Sequence, residues 1–595
     1  MRRLFPILAT FILLGFTYSV AIPIFETPDE LQHYGVVNYI ARYRWFPPLG
    51  KVAEHYWDQQ ALQAPLFYWT AATLTFWIDT ADFAPQTILQ PKANIGDATL
   101  PGKKNVFLHR PAQAFPYQGT TLAVHICRWL SLLLGAGTVA LTYFMARSTL
   151  SGVAERPNHW LPFIPPVAVA FLPQFIFIHA ACSNDSAITF TSTLALYLLV
   201  RVARPAITLK QATALGFVLG LMALSKLIGS VLVLVALALL FIFSRRGSAV
   251  VVATLTFGLT AGWWYGRNQI VYGDPLALNA FLNFVGGNLE VPTLSLVGLW
   301  DQFRLLRFST WGLFGHISIL MQPDWVYLIF DTVAIFGFGG AAVAVGRWAV
   351  RQRQWTWELI EENRSLILVA VWLAAVLAIG ARWFLAAGIQ GRLIFPGLAA
   401  GAIVWGVGVR ALIPTRVSTK WLTTGVTVPL ILFALFVIPA YVLPAYWPPP
   451  VVNGVPAQAT PTDIRFDDEI ALRGYTIARD AKKLHLIFFW ETLKHPQTDY
   501  RVAIRIVRPD GSFWLDYVNY PGMGTTFPTL WQPGELRRDT YEFALSRFSV
   551  ETVPLQLIVG FFDPTSRTML SISGWADVRD GGWVTLGELQ MNNEQ

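Results

Sequence analysis

Long apolar runs without a single charge recur along this 595-residue chain, and they decide what it can fold into. Leu232 to Phe243 and Leu366 to Ile379 are two of them. Each sits inside a window of about 20 predominantly apolar residues, the length an α-helix needs to cross the hydrocarbon core of a bilayer. Hydrophobic residues make up 54% of the chain and charged ones 13%, against about 25% charged in a soluble globular protein. The formal net charge is +8. The Lys and Arg residues fall in short loops between apolar windows and form no stripe, so they report membrane orientation and exclude a nucleic-acid surface.

The windows predict an α-helical polytopic membrane protein of about eleven spans. They run at about Leu4 to Phe25, Val124 to Ala146, Leu161 to Ile178, Ala187 to Val202, Ala212 to Leu224, Leu227 to Phe243, Ala249 to Tyr265, Trp325 to Val345, Leu366 to Ala381, Leu393 to Leu412 and Leu422 to Leu443. The fifth and sixth share a hairpin at Lys226, with one long helix as the alternative. Charge favours the hairpin. With two spans there, Arg2, Arg3, Arg147, Arg156, Arg201, Arg204, Lys210, Arg245, Arg246, Arg347, Arg351, Arg353, Arg410, Arg416 and Lys420 share one side, the cytoplasmic one by the positive-inside rule. The N-terminus is then cytoplasmic. The first segment has the basic start of a signal peptide but no small-residue cleavage site, and reads as a retained span.

This topology puts two long loops outside, residues 26–121 and 266–324. Leu31 to Trp45 and Ala64 to Ile78 are amphipathic and aromatic, as helices lying in the membrane interface are. Residues 1–445 thus form a membrane domain and 446–461, with Trp447-Pro448-Pro449-Pro450, a linker. Residues 462–595 change character. Leu484 to Trp490, Tyr500 to Val507, Phe513 to Tyr517, Thr540 to Leu545 and Leu555 to Phe562 are strand-like, and turns such as Pro509-Asp510-Gly511, Gln532-Pro533-Gly534 and Asp580-Gly581-Gly582 separate them. An all-β sandwich outside the membrane is expected. Trp514 and Trp531 lie near turns, where they either stack on sugar rings or fill the core.

Chemistry is expected in the outer loops. Glu26-Thr27-Pro28-Asp29-Glu30-Leu31-Gln32-His33 follows the first span directly. One of its carboxylates suits a general base that takes a proton from an acceptor hydroxyl, and the same acids also suit a plain cap on the helix behind Pro28. His33 reads as an added substrate contact or as a solvated interfacial imidazole. Cys182-Ser183-Asn184-Asp185 brings a second carboxylate to the same face, either for substrate or as an Asx-type cap. Two acidic loops on one face leave a divalent metal open, and no cofactor is called for. Cys127 and Cys182 read as small buried hydrophobes.

Cations on the outer side run against the positive-inside rule and so point to an anion: Lys226 at the hairpin, Arg267 with Asn268, Arg382, and Arg392 with Gln390. Guanidinium forks and a lysine point charge suit a lipid phosphate at headgroup level, where snorkelling is the plain alternative. Walker, HExxH and GxSxG motifs are absent from the sequence. Many spans with membrane-level charges also leave open a transporter or flippase of a lipid-linked or anionic glycan.

Together these residues resemble the GT-C class of polytopic glycosyltransferases, which includes protein O-mannosyltransferases, the aminoarabinose transferase of lipid A and bacterial oligosaccharyltransferases. Pro28-Asp29-Glu30 looks like the first-loop acidic motif of that class, Asn184-Asp185 like its second acidic loop, and Leu224-Ser225-Lys226 like its Ser/Thr-Lys hairpin. Trp263-Trp264-Tyr265-Gly266-Arg267-Asn268 with Tyr272-Gly273-Asp274-Pro275, Trp311-Gly312-Leu313-Phe314-Gly315, and Gln390-Gly391-Arg392 with Phe395-Pro396 resemble a bacterial branch of it. The similarity covers about the first 445 residues. It implies inverting hexosyl or pentosyl transfer from a polyprenyl-phosphate donor to a lipid, glycan or protein acceptor at the outer face of the plasma membrane. Asp29 would be the base, with Glu30 as the alternative. Asp185 would support the acceptor, and Lys226, Arg267 and Arg392 would hold the donor phosphate. His33, Asn184, Asn268 and Gln390 complete the implied substrate-binding set.

Overall fold

The computed structural model describes residues 2–49, 56–150, 160–285, 295–352, 356–387, 390–414, 417–548, 553–574, 578–579 and 581–589. Arg156, Arg353, Arg416 and Asp580, named above, lie outside these. The chain forms two compact units. One comprises Met1–Asp82, Tyr117–Phe314 and Leu320–Ala440, and the other Phe83–Pro116, Gly315–Ile319 and Tyr441–Gln595.

The first unit is helical. In chain order it contains α1 (Leu4–Ala21), α2 (Glu30–Tyr43), α3 (Leu66–Thr75), α4 (Gly119–Leu150), α5 (Ile164–Ala170), α6 (Pro173–His179), α7 (Asp185–Val202), α8 (Leu209–Ala223), α9 (Leu227–Ser244), α10 (Gly247–Tyr272), α11 (Leu278–Val285), α12 (Leu296–Trp311), α13 (Trp325–Arg351), α14 (Trp357–Glu362), α15 (Arg364–Ala387), α16 (Leu398–Leu412) and α17 (Thr419–Val437). Eight helices among the described residues are long and apolar enough to cross a membrane, nine if α5 and α6, bent by 60°, form one broken span. By length and composition the expected count of about eleven is not confirmed. The windows at Ala187 to Val202 and Ala212 to Leu224 are helical, as α7 and α8, but neither qualifies. Helix α8 has 15 residues, short of the ~20 that span a bilayer. Helix α7 carries Ser186, Thr189, Thr191, Ser192 and Thr193, all buried inside the unit. Thr189, Thr191 and Thr193 return their hydroxyls to the carbonyls four residues back, which lets a polar helix sit among apolar ones.

The chain breaks between α8 and α9, as a hairpin requires and one long helix does not. Lys226 has an extended backbone, φ −164° and ψ 156°. Gly229 lies so close to the Met222 carbonyl that a Cβ would come within 2.1 Å of it, so only glycine lets the two helices close on each other.

A buried ion pair fixes the start of the loop that follows α1. Arg128 in α4 and Glu30 at the start of α2 are both fully buried. Arg128 Nε donates to Glu30 Oε1 at 2.8 Å and Nη2 to Oε2 at 2.6 Å. Arg128 also donates to the carbonyls of Ser19, Ile22 and Pro23, closing off the C-terminal end of α1, where carbonyls lack helical partners and a cation is favoured. The Glu30 oxygens further accept the backbone N–H groups of Phe25 and Cys182 at 2.9 and 2.8 Å. One carboxylate thus ties together α1, α2, α4 and the 182–185 turn.

The second unit is a sandwich of two antiparallel sheets. One runs Val578–Arg579, Trp583–Leu589, Leu555–Asp563, Arg501–Val507 and Phe513–Asn519, with Thr568–Met569 paired to Leu555–Asp563. The other runs Ile572–Ser573, Thr460–Phe466, Ile470–Arg479, Lys483–Thr492, Leu536–Ala544 and Val451–Val452. Alternate residues turn inward, and aromatic rings of the two sheets meet: Phe561 lies 4.9 Å from Trp490 and 5.2 Å from Phe466 between centroids. Trp514 and Trp531 are buried in this core, not exposed beside turns. Residues 83–116, counted from sequence with the first external loop, pack within this unit. Asn519 Nδ2 donates to Gln90 Oε1 at 2.6 Å and Asn105 Nδ2 to the Gly524 carbonyl at 2.8 Å.

The Glu30–Arg128 pair yields the first prediction. Removing one partner of a buried ion pair leaves an uncompensated charge at a cost of about 3–5 kcal/mol. Glu30→Ala and Arg128→Ala are each expected to destabilise the purified protein by that amount in detergent unfolding. A change under about 1 kcal/mol would show that the pair does not hold the loop.

Candidate functional site

Four charged side chains from four separate elements form one chain of ion pairs. Asp29 precedes α2, Asp185 opens α7, Lys226 precedes α9, and Arg392 lies in the 3-10 turn Gly391–Gly397 that leads into α16. Arg392 Nη2 pairs with Asp29 Oδ2, and its Nη1 lies 3.3 Å from Asp185 Oδ2. Lys226 Nζ takes the other Asp185 oxygen at 2.5 Å. Signs alternate along the chain, Asp29, Arg392, Asp185, Lys226, and the four formal charges sum to zero.

Local structure explains how the residues are presented. Asp29 has a left-handed backbone, φ 60° and ψ 8°, a conformation that costs most L-residues about 1–2 kcal/mol and that Asp and Asn tolerate best. Its side chain does not cap α2, and the Asn184 side chain does not cap α7. Glu30 and Asp185 nevertheless lie in the first turns of α2 and α7, where acids are favoured. Gly391 donates its N–H to Ser309 Oγ in α12 at 2.8 Å and lies 2.4 Å, measured from an ideal Cβ, from the Thr310 Cα. This close approach seats the Arg392 turn against α12.

The two neighbouring acids differ. All of the Glu30 carboxylate is taken up by Arg128 and two backbone N–H groups. Asp29 is about one-third exposed at its side chain, and its Oδ1 has no partner among the described residues. Burial alone would raise the Asp29 carboxyl, but the Arg392 guanidinium beside it, together with His33 and Lys226, holds it below the usual carboxylate range. It stays ionised.

His33 is buried, not solvated, with its Nδ1 2.8 Å from the Tyr68 hydroxyl. Burial lowers its pKa to about 4 and outweighs the attraction of Asp29, so the ring is neutral at pH 7. The Asn184 amide donates to the same Tyr68 hydroxyl at 3.3 Å and to Gln63 Oε1 at 3.4 Å. Other expected residues stand apart from the ion pairs. Arg267 sits over the rings of Phe46, Trp264 and Tyr272 and donates to Asn268 Oδ1. Asn268 Nδ2 donates to the Pro275 carbonyl. Gln390 precedes the Arg392 turn and Arg382 is exposed on α15, so Lys226 and Arg392 are the two expected cations that meet. No cluster of three or more His, Cys, Asp or Glu side chains suited to a metal occurs among the described residues. The two site carboxylates are instead neutralised by Arg392 and Lys226.

Sequence reading missed Arg128, Tyr68 and Gln63. Arg128 had a signal, since a charge inside an apolar window normally has a buried partner. Tyr68 and Gln63 had none, because aromatic and amide residues are ordinary in an interfacial segment.

The buried imidazole makes stability depend on pH. An exposed imidazole titrates near 6.5 and the folded one near 4, so between these values the unfolded chain binds a proton that the folded chain does not. Stability should fall as the pH drops through that window, by at most about 1.4 kcal/mol per pH unit. The Asp29 contribution is lost only below the ordinary carboxylate range. Comparing unfolding at pH 7.5 and pH 5, His33→Gln should lose less stability than the wild type. Equal losses would contradict the buried neutral ring.

No family model and no curated protein matches this sequence. Among solved structures, ArnT from Cupriavidus metallidurans bound to undecaprenyl phosphate aligns over 74% of this chain and 73% of its own, with 11% identity and a TM-score of 0.42. The archaeal oligosaccharyltransferase AglB from Archaeoglobus fulgidus, in complex with an inhibitory peptide and a dolichol-phosphate, aligns over 74% of this chain and 55% of its own, with 13% identity and a TM-score of 0.37. The S. cerevisiae protein O-mannosyltransferase Pmt1-Pmt2 complex bound to the sugar donor aligns over 48% of this chain and 33% of its own, with 17% identity and a TM-score of 0.26. All three are GT-C glycosyltransferases, the class that the loop motifs resemble. At TM-scores below 0.5 this likeness decides nothing about chemistry.

Proposed function

We propose that this protein is a GT-C-type membrane glycosyltransferase that moves a hexosyl or pentosyl group from a polyprenyl-phosphate donor to an acceptor hydroxyl at the outer face of the plasma membrane. The observation that carries the reading is the shared placement of the four charges. Asp185, Lys226 and Arg392 lie at the N-terminal ends of α7, α9 and the turn into α16. Helix N-termini offer unpaired N–H groups and a positive dipole end, so this region favours an anion even before the two cations are counted.

In the proposed step, Lys226 and Arg392 hold the donor phosphate. The acceptor oxygen attacks the anomeric carbon from the face opposite the phosphate. The bond from carbon to phosphate oxygen breaks, the electron pair leaves on the polyprenyl phosphate, and the configuration inverts. Asp29 takes the acceptor proton through the oxygen that Arg392 leaves open. Phosphate binding competes for Arg392 and makes the Asp29 carboxylate more available. Asp185 keeps both cations in place and supports the acceptor. Glu30 is structural in this account, because none of its oxygens is left for substrate. Arg267, within its aromatic box, contacts the donor farther from the reacting carbon. The β-sandwich is a docking module for the acceptor, whether lipid, glycan or protein.

A transporter or flippase has weaker support. The charges sit at helix ends and loops, whereas transporters place ionisable residues near the bilayer midplane.

Asp29→Asn tests the base directly, because Asn also tolerates a left-handed backbone and nearly preserves the shape. With a panel of undecaprenyl-phosphate sugars and purified protein, kcat should fall about 100-fold or more while folding is unchanged. Turnover equal to wild type would remove Asp29 as the base.

A further inference from the structure

Cys127 and Cys182 have no part in the proposed step, yet they are the only cysteines in the chain and the fold brings them together. Cys127 lies in α4, Cys182 opens the turn before α7, and both are fully buried. Both are free thiols in the structure, and they share a hydrogen bond. Contacts on either side hold the two positions in register. On one side, Arg128 Nε and the Cys182 N–H donate to the same Glu30 oxygen, each at 2.8 Å. On the other, Ser186 Oγ donates to Ser131 Oγ at 3.2 Å. Residues four apart lie on one face of a helix, so Cys127 and Ser131 present one edge of α4 to Cys182 and Ser186.

Packing alone does not call for sulfur here. Ala123, Ala180 and Ala181 are buried on the same two stretches of chain, so small apolar side chains already serve this region. Cysteine differs from alanine in its chemistry, because two facing thiols can be joined covalently. The turn also carries Asp185, whose carboxylate Lys226 and Arg392 share. A bond at position 182 ties that carboxylate to α4.

We propose that Cys127 and Cys182 form a disulfide in the mature protein, fastening the 182–185 turn to α4. The inference rests on the outer-face reading above, since disulfides persist in oxidising surroundings outside the cytoplasm. The reaction is thiol–disulfide exchange with an external disulfide. One cysteine gives up its proton, attacks a sulfur of that disulfide and forms a mixed disulfide, and one external thiolate leaves. The second cysteine, also deprotonated, attacks the protein sulfur of the mixed disulfide, and the other external thiolate leaves. The two cysteines lose two protons and two electrons, and the external disulfide is reduced to two thiols. Exchange takes place before the turn packs on α4, because afterwards both sulfurs are closed off from solvent. The same burial then shields the bond from reductants.

The test uses the full-length protein in membranes from cells lysed into acid, which stops exchange. After unfolding in detergent, free thiols are alkylated with iodoacetamide and the protein is digested. Without reductant, neither cysteine should be alkylated, and their two peptides should be linked, with a mass about 2 Da below the sum of the reduced peptides. After reduction both should be alkylated. Cys182→Ser should leave Cys127 open to alkylation without reductant. A reductant present during heating should lower the unfolding temperature of the purified wild type and leave that of the Cys127→Ala, Cys182→Ala double variant unchanged. Alkylation of both wild-type cysteines without reductant, or blocked cysteines with no linked peptides, would overturn the disulfide. Asp79→Cys, at an exposed position, reports the side of the membrane separately. If it reacts with an impermeant maleimide in intact cells, free thiols at 127 and 182 count against the disulfide alone. If it reacts only after permeabilisation, the outer-face reading is overturned, and the disulfide with it.

Discussion

Arg392 is the residue on which the arrangement turns. A single guanidinium reaches carboxylates from two distant parts of the chain, 29 and 185, and Lys226 completes the neutralisation of the second. Without it, two carboxylates would face each other in a partly dry environment, and like charges so placed repel strongly. With it, the loop after α1, the turn before α7, the hairpin before α9 and the turn before α16 are held to one point. Each charge in the cluster already has an opposite within it.

The neighbouring pair Glu30–Arg128 shows how the fold sets two adjacent acids in different surroundings. Two adjacent acids leave the backbone in different directions. Glu30 turns inward, where it is saturated with hydrogen bonds, and Asp29 turns outward with one oxygen spare. The left-handed backbone at Asp29 belongs to this division, since it lets consecutive residues face different surroundings. The strain is borne by a residue type that tolerates it and by a loop that Arg128 clamps to α1 and α4.

Sequence pattern made most helices legible, because runs without charge leave the backbone one way to satisfy itself in lipid. The windows at α7 and α8 are helical as expected, but the hydroxyl-rich face of α7 and the length of α8 keep both below the length and apolarity of the other candidate spans. Five strands were legible from alternation and turn residues. Thr460–Phe466 and Ile470–Arg479 were not, since Asp463, Arg465, Arg473 and Gly474 interrupt their apolar pattern and their stability comes from pairing across the sheet. At the site, sequence brought out Asp29, Asp185, Lys226 and Arg392 as residue types out of place for an outer membrane face. It could not tell Asp29 from Glu30, because the difference lies in Arg128, 98 residues on. Nor could it gather Gln63 and Tyr68 with Asn184, or set Arg267 apart from the other cations, because those outcomes depend on tertiary contacts alone.

The central claim is that positions 29 and 226 face one cavity on the non-cytoplasmic side. Single cysteines at each, in a background with Cys127 and Cys182 replaced by alanine, can be labelled in intact cells with a membrane-impermeant maleimide. The account predicts that both react from outside and that undecaprenyl phosphate added to right-side-out vesicles protects both. Reaction of one position only from the cytoplasmic side would contradict it.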